Sequence, residues 1–134
     1  MPEIVKFVQN GSASITPAVA EKILHQLPQW KLEFTQIHAP KFPHLVDQLE
    51  FLADAAEDAI EGAYKDIPYC ALAQALFALL YAHKKNGIIP ESILGLGRAD
   101  DSSVVRAVLI QNEKAFAIYA ATQGVDWQKI TSQP

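Results

Sequence analysis

One cysteine, Cys70, stands alone in the sequence, which excludes an internal disulfide framework and any zinc site built from several cysteines. Nothing therefore requires an oxidising compartment, and cytoplasm is the expected location. Long hydrophobic runs are missing too. The longest purely apolar stretch, Ala75 to Ala82, falls far short of the roughly 20 residues that span a bilayer. The opening "MPEIVKFVQNGSAS" has Glu3 and short apolar patches but no cationic region ahead of a long apolar run, so it does not read as a secretory signal. Positive charge is scarce: 11 Lys and Arg face 15 Asp and Glu, and the bases are scattered rather than gathered into a stripe with aromatics. Nucleic acid is thereby excluded as an expected partner. The chain also lacks a Gly-x-Ser-x-Gly elbow, a phosphate-cradling loop and the Glu-x-x-His pairs of di-metal bundles.

What remains is globular: half of the 134 residues are hydrophobic and 19% are charged, a balance that builds one domain, 1–134, around a buried core. Residues 1–15 form an N-terminal arm in which Ile4, Val5, Phe7 and Val8 fit a short strand, a helical turn or a segment docked on a neighbour. In "ITPAVAEKILHQL", Thr16 can cap a helix with Pro17 at its first position and Val19, Ile23, Leu24 and Leu27 on one face, which Pro28 then ends. "WKLEFTQIH" alternates Trp30, Leu32 and Phe34 with polar residues, leaving room for a short β element before Pro40 and Pro43.

From Pro43 to Ala63, Leu45, Leu49, Leu52, Ala56 and Ile60 recur at spacings of three and four, the period of a long amphipathic helix. Pro68 starts "PYCALAQALFALLYAHKK", apolar nearly all round apart from Gln74, so neighbours should cover every side of it and bury Cys70. Lys84 and Lys85 complement the negative end of that helix, and Asn86-Gly87 reads as its left-handed stop. "DDSSVVRAVLIQNEKAFAIYAATQG" reads as one final helix, capped by Asp101 or Ser102 and stopped at Gly124, with Trp127 packed back from the tail. Asn112 interrupts its apolar stripe, and a buried amide there needs a partner, for which Gln74 is the candidate. The expected fold class is all-α, a compact bundle of four to five helices with its core in 43–124 and a short β element near the N-terminus left open.

The connection "GIIPESILGLGRADDSS", residues 87 to 103, is more patterned than an ordinary loop. Pro90 fixes φ, Gly95 and Gly97 open conformations closed to other residues, and Asp100-Asp101 favour the positive end of the next helix. Ile89-Pro90-Glu91 followed by Leu96-Gly97-Arg98-Ala99-Asp100-Asp101, after a helix containing Tyr81, resembles the YkvA-like family, a helical domain of unknown function. The resemblance covers roughly residues 66 to 110, with Lys85, Gly87 and Glu91 where that family has a proline and two aspartates. It implies a helix–loop–helix fold, with Ile89, Pro90, Gly95, Gly97, Asp100 and Asp101 as the structural loop motif, and brings no chemistry with it.

Two functions of different class fit these residues. The surplus of apolar side chains in a small chain, with no recognised catalytic set and no cofactor called for, points to a non-catalytic module acting through protein–protein association, as a homodimer or with another protein. The alternative uses Asp54, Glu57, Asp58 and Glu61, which share one helix face at i, i+3, i+4 and i+7, with Asp100 and Asp101, as oxygen ligands for a divalent metal, as a hydrolase would. A solvated face partly relieved by a Glu61 to Lys65 pair is the plainer account of those acids. An apolar loop beside Lys84 and Lys85 also fits a weak membrane-surface role. His25, His38, His44 and His83 have no ligand spacing among them.

Overall fold

The computed structural model describes residues 2–88 and 98–130, so Ile89, Pro90, Gly95 and Gly97 of the loop motif lie outside the described residues. Among the described residues six α-helices follow in order: α1 Pro2–Ser12, α2 Pro17–Thr35, α3 Leu45–Glu61, α4 Tyr69–Ile88, α5 Arg98–Gln111 and α6 Glu113–Thr122, then a short 3₁₀ helix, Trp127–Ile130. There is no strand among the described residues.

The N-terminal third is where expectation and structure part most clearly. Thr16 does cap α2: its Oγ1 accepts from the Val19 N–H at 3.2 Å, with Pro17 at the first position. Pro28, however, sits inside α2, which runs on to Thr35. An interior proline costs about 3 kcal/mol. Against this, Trp30 and Phe34 extend the buried row Ala20, Ile23, Leu27, and each large side chain so buried contributes about 1.5–3 kcal/mol. The row is continuous through the proline, so the helix continues. The alternation of Trp30, Leu32 and Phe34 is helical: Trp30 and Phe34 share the buried face while Leu32 is 69% exposed. The first residues form α1, seated on α4 and α5 of the same chain with Val8 buried between them.

α4 is the central helix, touching α1, α2, α3 and α5, and its run from Ala71 to Leu76 is buried. Cys70 precedes that run in the first turn and is exposed rather than buried. The helix passes through Asn86-Gly87 to Ile88; poor helix propensity there costs only about 1 kcal/mol per residue at most and does not stop it. α3 ends at Gly62, whose φ of 83° turns the chain so that the Tyr64 N–H reaches the Asp58 carbonyl at 3.1 Å.

The expected single final helix is two. α5 begins at Arg98, so Asp100 and Asp101 lie within its first turn rather than before it, and Asp101 and Ser102 are fully buried. The break falls at Asn112, whose Nδ2 donates both to the Val108 carbonyl at 2.9 Å and to Gln74 Oε1 at 2.8 Å. Its backbone leaves helical geometry at φ −122°, ψ 27°. α6 then stops at Gly124 as expected: with φ 69° there, Gly124 N–H donates to the Ala121 carbonyl and Val125 N–H to Ala120.

Candidate functional site

α3 carries six acids and no base in 17 residues, and its buried stripe of Leu45, Leu49, Leu52 and Ala56 forces them to the opposite side. Three of them, Asp54, Glu57 and Asp58, wall an open cleft of about 300 Å³ whose other side is Tyr119 and Val125. Phe51 forms its base and meets Tyr119, Phe116 and Trp127 edge-on at ring separations of 5.7, 6.1 and 5.8 Å. These aromatic contacts hold α6 and the C-terminal turn against α3, so the cleft is a product of the fold and not of one helix.

A cation already serves this cleft. Lys31 Nζ on α2 lies 2.7 Å from Asp54 Oδ1 and bonds Glu57 Oε1 as well. Burial of the Lys31 ammonium opposes its charge, but hydrogen bonds and charges from Asp54 and Glu57 win and hold its pKa above the usual lysine value. On the other wall, the Tyr119 hydroxyl donates to Asp58 Oδ2 at 2.5 Å. Burial first, then that bond and the charges of Asp58, Asp54 and Glu57, push the Tyr119 phenol well above its ordinary range. Glu50, one turn back on α3, is held above the usual carboxylate range by burial and by the charges of Asp47 and Asp54, with Lys31 opposing.

Of the six acids expected to act together, Asp54, Glu57 and Asp58 converge, whereas Glu61, Asp100 and Asp101 are not among the walls of the cleft. Glu61 and Lys65 are not paired; the expected relief comes from Lys31 instead. Among the described residues, no group of three His, Cys, Asp or Glu is arranged to hold a metal ion. Lys31 and Tyr119 escaped the sequence reading because they come from α2 and α6, 26 and 61 residues from their partners.

A second feature lies between α1 and α4. Phe7, Gly11, Phe77, Leu80 and Tyr81 line an open, apolar groove of about 370 Å³ with Lys84 at its rim. Phe7 is 44% exposed and meets Phe77 and Tyr81 edge-on at 5.5 and 5.7 Å. Gly11 allows this close approach: a Cβ there would sit 2.2 Å from Phe77 Cε1. His83, on the same helix, stacks on Trp30 at 4.2 Å with its Nδ1 2.7 Å from Glu33 Oε2, tying α4 to α2. It stands in a helix–helix contact, not in the acidic cleft.

No helix among the described residues is long and apolar enough to cross a membrane. Compared with protein-family models, curated proteins and solved structures, the chain matches none.

Proposed function

We propose that the chain is a non-catalytic helical module that acts through protein–protein association, pairing with a second copy of itself at the groove between α1 and α4. The observation that supports this reading is the exposed aromatic rim of that groove. Phe7 spends its ring on Phe77 and Tyr81 yet leaves nearly half its surface open, where association would remove it from water at about 25 cal/mol per Å². The loop likeness to the YkvA-like family agrees with a helical module and adds no activity to it. Sedimentation equilibrium of the purified chain at micromolar concentration tests the proposal: a twofold mass is expected, and a strictly monomeric mass counts against it.

A second reading, a divalent-metal protein using the α3 acids, is favoured by the convergence of Asp54, Glu57 and Asp58 on one cleft. Lys31 competes with it, since a metal ion must displace an ammonium already bonded to two of the three carboxylates. Thermal unfolding in EDTA and then with Mg²⁺, Mn²⁺, Ca²⁺ or Zn²⁺ separates the two: a saturable rise in midpoint with one ion supports the metal reading.

A further inference from the structure

We propose that the groove between α1 and α4 is a binding site for a medium-chain carboxylate amphiphile, a fatty-acid anion whose chain lies along the groove and whose head meets Lys84. This goes beyond the pairing reading, which gives the same groove to a second copy: ligand and second copy contend for one apolar surface.

The apolar part of the site is open to solvent. Phe7 is 44% exposed, and Phe77, Leu80 and Tyr81 are half-buried rather than sealed in the core. On α4, Phe77, Leu80, Tyr81 and Lys84 fall at i, i+3, i+4 and i+7, so they form one line about 10 Å long at 1.5 Å per residue. Phe7 and Gly11 of α1 wall its other side. The line ends on its one cation, so the site has an apolar length and a charged end, as an amphiphile has.

Charge selects the head group. Among the described residues Lys84 is the one charged side chain on the walls, it is exposed, and no ion pair engages it. The remaining polar wall is the neutral amide of Asn10. In a chain of net charge −4, a groove with a base and no acid on its walls is a local reversal of sign. A cationic amphiphile sets like charge against Lys84, and an uncharged one leaves it unanswered. One ammonium matches the single charge of a carboxylate, whereas a nucleotide needs more bases than these walls carry.

Two-dimensional amide NMR of the full chain, titrated with sodium decanoate below its micelle concentration, tests this. Saturable shifts are expected at Phe7, Gly11, Phe77 and Lys84 and not along α3. Octanoate should bind roughly four- to fifteenfold more weakly, since each methylene fully removed from water changes affinity about fourfold. Lys84→Gln should weaken decanoate about two- to fivefold, the range of an exposed ion pair. Lys22→Gln, which removes an exposed base of α2 that does not line the groove, should leave binding unchanged. No saturable shift, equal affinity for octanoate and decanoate, decyltrimethylammonium bound as tightly as decanoate, or equal loss in the Lys22 variant overturns the proposal. Attachment of the chain to phosphatidylglycerol vesicles with no response to free decanoate also overturns it and assigns the surface to a membrane. Sedimentation equilibrium beside the titration keeps the two readings apart. A twofold mass with no groove shifts overturns this proposal and leaves pairing, whereas groove shifts in a chain that is monomeric without decanoate support the site and contradict pairing.

Discussion

Asn112 on the break between α5 and α6 donates to Gln74 Oε1 in the second turn of α4 at 2.8 Å, and Gln74 is only 7% exposed. One amide pair thus joins the central helix to the point where the last helix changes direction. The second Asn112 bond, to the Val108 carbonyl, is the local competition with the helix ladder that asparagine offers.

Asn112→Ala removes the partner of a buried amide and should cost about 1–3 kcal/mol in urea unfolding. Asn112→Leu with Gln74→Leu removes both polar groups together and should recover a large part of that loss. Equal loss in the single and double variants would show that the pair does not act as a unit.

The location of these polar contacts explains which parts of the fold were readable beforehand. The period of α3, the Thr16 cap and the Gly124 stop are local, and the structure has them where the residues put them. The Asn112–Gln74 pair was legible because a lone amide on each of two apolar faces has few other places to go. Pro28 misled because its effect is local while the row Leu27, Trp30 and Phe34 that overrides it is rewarded only by packing on α3 and α4. In the same way Lys31 and Tyr119 enter the acidic cleft only after three helices have assembled, so residue spacing within α3 showed the acids and not their partners.

Lys31→Met leaves Asp54 and Glu57 side by side without their counter-ion. Because Asp54 is 59% exposed, solvent screens the loss, and a destabilisation of about 0.5–2 kcal/mol is expected for the two pairs together. The deficit should shrink on adding salt, measured as the difference in unfolding midpoint between wild type and variant. A deficit independent of salt would mean that Lys31 acts through its packed carbon stem instead.

Alkaline pH offers a test of the Tyr119–Asp58 contact. The folded phenol is raised above its ordinary value of 10.0, so the stability it contributes is complete below pH 10 and declines as pH rises past it, where only the unfolded chain ionises. Lys31, also raised, acts in the same direction above 10.5. In an ultraviolet titration of the folded protein, the Tyr119 phenol should ionise above the ordinary tyrosine range, and Tyr119→Phe should abolish that late step. A late step that survives Tyr119→Phe assigns it to another ring.

Gly11→Ala sets helix propensity against packing. Alanine favours the helix by up to about 1 kcal/mol. The added methyl, however, enters the Phe77 ring, and overpacking costs about 1–3 kcal/mol. Net destabilisation is expected in chemical denaturation, and stabilisation would mean that the Phe77 ring turns aside freely.

Sedimentation equilibrium of the wild type beside Phe7→Asp, at equal micromolar concentrations, tests most directly whether the α1–α4 groove joins two copies. Phe7 is nearly half exposed, so a charge there leaves the buried side of α1 in place while putting an unpaired carboxylate into the pairing surface. A dimeric wild type and a monomeric, folded variant are the expected result. Equal masses for the two proteins would contradict the assignment of the groove as the site of association.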